Sequence, residues 1–407
     1  MMMARQFPLR PESELLVWCA RTVVTDELKV RIRQRVQGPL DWAVVLDLAR
    51  YHGVGPLLYR NLSTLCSDLV PAESLTQLRQ RTQAGALLNR LLAEELAVLC
   101  EAFAAHGVPV MPIKGATLAA SVYGDLTLRD FNDMDLLVPK GSIAEAQAVL
   151  LTLGYEKRDL SSDPGVADHE EGPYHVFINK RTLFRVDLQW VMAHQCFMFQ
   201  LDRPEFWQRR TAVPLANKTV QGLSPEDLLI VLCVHGSKHA WESLKWVCDV
   251  AELLRAHDQL DWDRTFSSAS TWRCRRLVYM GLSLARLVFD APLPEVVLAR
   301  LSADSDVQML SHRMPSTLLA DCHAGVKETQ AVALYFSLKD SWWERWRFGL
   351  LLCRDQSPMV TTPPAWFRWR TSLPRFARLV FPLHRTMRSL SPSTIRGAIN
   401  RWVEHGG

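Results

Sequence analysis

Asp133 and Asp135 stand two residues apart at the mouth of an apolar run, residues 134–138, that reads as a buried strand. Successive strand side chains point to opposite faces, so both carboxylates project from the same one. Two acids there, with no cation between them, repel each other and are costly to desolvate. A divalent metal removes that cost, and hard oxygen ligands on one face suit Mg²⁺ carrying substrate phosphates, with Mn²⁺ as its substitute. Upstream, residues 108–113 followed by Lys114-Gly115-Ala116-Thr117 read as a strand running into a helix whose N-terminus is open to an anion. Farther along, Arg185, Asp187 and Gln189 share one face of another strand. If it pairs beside the first, Asp187 becomes a third carboxylate, and three acids on adjacent strands can hold two metal ions.

Blander readings compete with each of these. An isolated Asp-x-Asp is commonly a solvated turn; its place behind a Lys-Gly strand-to-helix turn favours a metal site. Lys114 is either a strand-end cation or a phosphate contact. Arg129 either clamps a phosphate or pairs with Asp130 or Asp135. In a helix expected from Pro225 to about Leu254, His235, Lys238, His239, Glu242, Lys245 and Asp249 fall at i, i+3, i+4, i+7, i+10 and i+14, one polar stripe. That stripe is a solvated face with Lys–Glu pairing, or it sets Lys238, His239 and Lys245 against the substrate phosphates. A zinc site on His235 and His239 is disfavoured, because Gly236 stands where a zinc protease carries its catalytic Glu.

The elements that must position these residues follow from periodicity and punctuation. Residues 1–80 form an N-terminal helical region with helical spacing from about residue 12, broken by Pro56 and Pro71. A long amphipathic helix is expected over 74–105, with Leu88, Leu91, Leu92, Leu96 and Leu99 at core spacing and Gly107 just past its end. Then come the Lys-Gly turn with a helix to about Tyr123, the Asp-x-Asp strand and a helix over 142–153. A polar loop over 158–172, with Asp168-His169-Glu170-Glu171 near the site mouth, leads into a hairpin over 174–190. Ser224-Pro225-Glu226-Asp227 is a strong helix start, and helical pattern then runs to about residue 338. The expected fold class is α+β: a small mixed-sheet core over 81–215, helices before it, a helical region over 216–338 and a basic aromatic tail over 339–407.

Composition bounds the class. With 407 residues, 48% hydrophobic and 22% charged, the chain has material for two or three ordinary cores. No apolar run reaches the roughly 18 residues of a membrane span, and the N-terminus lacks a signal-peptide pattern. Nine scattered cysteines without a Cys-x-x-Cys argue against a disulfide framework or a zinc site and for a reducing cytoplasm. The net charge of +4 is uneven: from Gln356 onward eight arginines face one acid, Glu404. Such a tail suggests contact with an anionic surface, nucleic acid or membrane, or docking onto the body with its aromatics buried.

The order Ile113-Lys114-Gly115, Arg129 with Asp133-Met134-Asp135-Leu136-Leu137-Val138, Gly154-Tyr155, and Val186-Asp187-Leu188-Gln189-Trp190 resembles the uncharacterised nucleotidyltransferase family of the DNA polymerase β-like nucleotidyltransferase superfamily. The resemblance continues through residues 233–241 and 244–249 and covers roughly residues 40–255. It implies transfer of a nucleoside monophosphate from a nucleoside triphosphate, with release of pyrophosphate. Asp133 and Asp135 match the metal pair, Asp187 the third carboxylate, which binds a second metal or takes the acceptor proton, and Gly115 the turn over the triphosphate. Two departures stand out: Lys114 precedes Gly115 where the wider superfamily has Gly-Ser, and Gln189 stands where relatives tend to have His. The base and the acceptor stay open, with a peptide, a sugar, an RNA end or a small metabolite all compatible. Rival readings are kinase-like transfer at the same site, or a nucleotide-binding scaffold without turnover.

Overall fold

The structure, a computed structural model, describes residues 9–158, 174–194, 197–319, 334–346 and 348. The chain divides into two compact units, Met1–Asp340 and Ser341–Gly407. The polar loop, including Asp168 to Glu171, and nearly all of the basic tail lie outside the described residues.

Four helices come first: α1 (Pro11–Cys19), α2 (Asp26–Gln37), α3 (Trp42–Tyr51) and α4 (Gly55–Leu65). Their starts are written locally. Thr25 caps α2 by accepting from the Leu28 N–H, and Asp41 caps α3 by accepting from the N–H groups of Ala43 and Val44. The long helix α5 runs over Ala72–Ala105. Leu92, Leu96, Leu99 and Phe103 are its buried face, whereas Leu88 and Leu91, expected in the core, are exposed. Apolar burial runs from Leu78 to Phe103, and Leu88 and Leu91 lie off that face, so apolar spacing alone overstated the width of the buried stripe.

The sheet has five strands in the order β1-β2-β5-β4-β3. They are β1 (Met111–Pro112), β2 (Asp133–Leu137), β3 (Tyr155–Lys157), β4 (Tyr174–Asn179) and β5 (Arg185–Gln189). Between β1 and β2 lie α6 (Ala116–Leu118), which continues as a π-helical turn over Ala119–Tyr123, and a 3₁₀ turn over Leu126–Leu128. Helix α7 (Ile143–Thr152) links β2 to β3. The expected hairpin is the antiparallel pair β4–β5, and β5 runs parallel to β2. The architecture is the expected α+β with a small mixed sheet. The strand over 108–113, however, is reduced to the two residues of β1.

Two small hairpins follow, β6 (Val191–His194) with β7 (Phe197–Gln200), and β8 (Thr211–Leu215) with β9 (Lys218–Gly222), separated by α8 (Pro204–Gln208). Then come α9 (Pro225–Lys238), α10 (Leu244–Ala256), α11 (Trp262–Thr271), α12 (Arg275–Phe289), α13 (Glu295–Ser302) and α14 (Ser305–Leu318). Ser224 caps α9 through the Asp227 N–H, with Pro225 at the first position, as the sequence predicts.

Two hydrophobic cores result. One joins the sheet to α5 and α7 through Leu92, Phe103, Leu136, Leu150, Phe177 and Val186. The other joins α1–α4 to α9–α12 through Leu16, Leu58, Leu232, Val250 and Leu284. The helices before and after the sheet thus form one body.

The single helix expected from Pro225 to Leu254 is two. The chain turns between α9 and α10, with Ala240 and Trp241 at φ +48° and +55°. Trp241 is fully buried, and its ring lies where a side chain on Gly236 or Gly281 would have to go, 2.4 Å and 3.1 Å from a Cβ built there. Burying this indole is what breaks the helix.

Candidate active site

The register of β2 and β5 sets the site. Asp133 lies opposite Arg185, and Asp135 opposite Asp187. In a parallel pair, opposed residues point to the same face, so the three carboxylates expected together share one side of the sheet. Asp135 and Asp187 are 9% and 6% exposed, and burying an unpaired carboxylate is costly. Each has a cationic partner. Lys114 Nζ lies 2.9 Å from Asp135 Oδ2, and the Gln189 amide donates to the other Asp135 oxygen. Arg185 donates to both oxygens of Asp187, at 2.6 and 2.8 Å.

Asp133 differs. Among the described residues its carboxylate has no hydrogen-bond or ion-pair partner. Burial, then the charge of Asp135, raises its pKa above the usual carboxylate value, against the opposing pull of Lys114. The Asp187 carboxyl is also pushed up, chiefly by burial, with Arg185 pulling it back down.

Lys114 is delivered by the turn after β1. Gly115 has φ +59° and ψ −120°, a region open essentially to glycine alone. Thr117 closes the turn by donating from its hydroxyl to the Lys114 carbonyl at 2.9 Å. The Lys114 ammonium also lies 3.3 Å from His235 Nδ1. Burial and then the charge of Lys114 hold the His235 pKa well below its ordinary value, so Nδ1 is a bare acceptor for the lysine.

The two helices that replace the single expected one still deliver cations here. Lys238 sits at the end of α9, among the fields of Lys114, Asp135 and Asp187, and burial lowers its pKa. Lys245, on α10, is lowered by burial and then by Arg129, with Asp249, Asp130 and Asp133 opposing. Neither ammonium has a hydrogen-bond or ion-pair partner among the described residues. His239 stacks on Trp246 with ring centres 4.7 Å apart and meets His235 edge-on at 4.8 Å.

Arg129 pairs with neither Asp130 nor Asp135. Its guanidinium donates to both oxygens of Asp249, at 2.7 and 2.9 Å, and the Tyr123 hydroxyl donates to the same carboxylate at 2.7 Å. Arg129 is 6% and Asp249 1% exposed. Removing either partner of such a pair strands a buried charge and costs about 3–5 kcal/mol. This pair ties the segment leading into β2 to α10, and Asp249 leaves the expected polar stripe for the interior.

Two neighbours of these residues are not marked as site residues by sequence alone. Arg185 is visible on the face of Asp187, and its two-residue offset signals the pair. Asp130 is raised in pKa by burial and lies in the fields of Lys245 and Arg129. It fits beside α5 because Gly85 has no side chain: a Cβ there would meet Asp130 Oδ1 at 2.9 Å.

Carboxylates on adjacent parallel strands of a mixed sheet thus lie within the fields of lysines from two helices. Residues 38–290 match the family described as uncharacterised nucleotidyltransferase, and the chain belongs to that family. No curated protein matches the sequence. Among solved structures, the chain is similar to ANT(2")-Ia in complex with adenylyl-2"-tobramycin, at 13% identity and a TM-score of 0.28, over 52% of this chain and 98% of that one. It is also similar to an antigenic nucleotidyltransferase-like protein from Paracoccidioides brasiliensis, at 15% identity and a TM-score of 0.31, over 51% and 96%.

Proposed function

We propose that the protein transfers a nucleoside monophosphate from a nucleoside triphosphate to an acceptor, with Mg²⁺ at Asp133 and Asp135 and with release of pyrophosphate. The observation that carries this is the register pair Asp135–Asp187, with Asp133 on the same face, within the fields of Lys238 and Lys245, whose ammonium groups have no hydrogen-bond or ion-pair partner among the described residues. Family membership supports it.

The residues suit Mg²⁺ on their chemistry. Asp133 is an unpartnered carboxylate whose ionised form is disfavoured by its surroundings, and a nearby cation relieves that strain. Among the described residues no group of three Asp, Glu, His or Cys side chains is gathered as a metal cage. Mg²⁺ needs none, since it is commonly held by one or two carboxylates and completed by substrate phosphates and water. When bound, the metal supplies charge neutralisation on the phosphates.

The remaining work falls to the protein. Lys238 and Lys245 hold the phosphates. The acceptor oxygen attacks the α-phosphorus, the bond to the β-phosphate oxygen breaks, and the acceptor proton passes to Asp187. Rate comes mainly from positioning and charge, as in other phosphoryl transfers.

Incubation with each of the four NTPs labelled at the α-phosphate, Mg²⁺ and cell extract tests this. The expected result is label on an acceptor, pyrophosphate in solution and loss of both with EDTA. Release of ADP from ATP instead would establish kinase-like transfer, and nucleotide binding without turnover would establish a scaffold.

A further inference from the structure

We infer that the turn His52-Gly53, in the N-terminal helical body, is the brace that seats Lys245 against the phosphates of the nucleotide; this rests on the transferase reading. Three hydrogen bonds tie the start of α10 to that turn. The Ser243 hydroxyl donates to the His52 carbonyl at 2.8 Å, and the Lys245 backbone N–H donates to the same oxygen at 3.2 Å. The Leu244 N–H donates to His52 Nδ1 at 3.2 Å.

That last bond needs a neutral imidazole. His52 is fully buried, and burial holds its pKa down to about 4, so Nδ1 accepts at neutral pH. Among the described residues the other ring nitrogen has no hydrogen-bond partner, and the Leu244 bond is the ring's one hydrogen bond. His52 thus holds the backbone N–H groups of Leu244 and Lys245.

Gly53 acts on the side chain. At φ +64°, it presents bare backbone along the lysine: a Cβ there would lie 3.2 Å from Lys245 Cδ, 3.4 Å from Cε and 3.5 Å from Nζ. A residue larger than glycine would press on Lys245 Cδ, which must then give by a few tenths of an ångström, with Nζ at ordinary contact distance. Lys245 therefore reaches the charged groups of the site from a mould made by a different part of the chain. His52 and Gly53 are positioning residues; neither touches the reacting atoms.

Inorganic tripolyphosphate with Mg²⁺ is the probe, because it carries the phosphates without a choice of base. Its affinity is measured by calorimetry on the full chain. Lys245→Met should weaken binding about tenfold, the scale of one charge-assisted contact, and Gly53→Ala, which shifts the lysine without removing it, should weaken it by a smaller factor of about threefold. In transfer assays with labelled NTP, Gly53→Ala should raise KM and leave kcat unchanged. Gly107→Ala is the control: Gly107 has the same backbone strain, φ +69°, with nothing within 4 Å of its Cβ. It should melt lower as Gly53→Ala does, yet bind normally. His52→Leu should weaken binding about tenfold, and His52→Asn, which keeps an acceptor for Leu244, should restore it.

Normal binding by Gly53→Ala beside weak binding by Lys245→Met overturns the brace and leaves the transferase reading standing. The brace is equally overturned if Gly107→Ala binds as weakly as Gly53→Ala, or if His52→Asn fails as fully as His52→Leu. Normal binding by Lys245→Met overturns the brace as well. No binding by the unaltered protein sinks both readings.

Discussion

The three acids of the sheet face are held in different electrical states, and that difference is testable residue by residue. Asp135 is matched by Lys114 and Asp187 by Arg185, while Asp133 is opposed mainly by burial and by Asp135. Asp133→Asn should cut transfer by about a thousandfold or more, since it removes charge stabilisation worth several kcal/mol. It should nonetheless melt at the same or a higher temperature at pH 7. The sign follows from linkage: a carboxyl whose folded pKa is raised binds its proton more tightly when folded. Its stabilising share is then full below the unfolded carboxylate pKa and is lost as pH rises through the folded one. Asn, which never ionises, escapes that loss, so its advantage over the parent should shrink toward pH 4 in calorimetric melts. Asp135→Asn should instead melt lower at pH 7, because Lys114 loses its carboxylate. A lower melt for Asp133→Asn would show that this acid is structural.

At the level of elements, the break between α9 and α10 decides how the site is assembled. A continuous helix would carry Lys238 and Lys245 on one straight stripe. The turn at Ala240 and Trp241 instead brings Lys238 to the end of one helix and Lys245 to the first turn of the next. Gly236 makes this possible, because Trp241 ring atoms occupy the space of its missing side chain. Gly236→Ala should cost about 1–3 kcal/mol, the usual penalty for overpacking a core. Urea unfolding is the measurement, and an unchanged midpoint would show that the indole can move aside. The same glycine, read from the sequence, counts only against a zinc protease motif.

For the whole molecule, the distribution of cores predicts what is dispensable. Both hydrophobic clusters and every candidate site residue precede Asp340. A chain ending at Asp340 should keep its cooperative melt and its affinity for Mg²⁺ tripolyphosphate, checked by circular dichroism and calorimetry. A large loss of either would make the basic tail part of the folded body or of the site. Among the described residues no helix is long and apolar enough to cross a membrane.

Much of this was legible along the chain, because some constraints are local. The two-residue period of a strand puts Asp133 and Asp135 on one face wherever that strand lies. Ser224-Pro225 starts a helix through the physics of its own first turn, and Gly115 marks a backbone turn that glycine alone adopts without strain. Contacts between distant segments follow no such period. Arg129 found Asp249 because the helical body packs beside the sheet, and nothing near residue 129 announces an acid 120 positions away. The stripe on a supposed single helix failed because burying Trp241 outweighs helical continuity. Sequence by itself determined the acid face, the lysine turn and the α+β class, all set by neighbours within a few residues. Tertiary structure alone decided which charges are spent on each other and which stay open to a ligand, since only packing brings those groups within reach and removes the water between them.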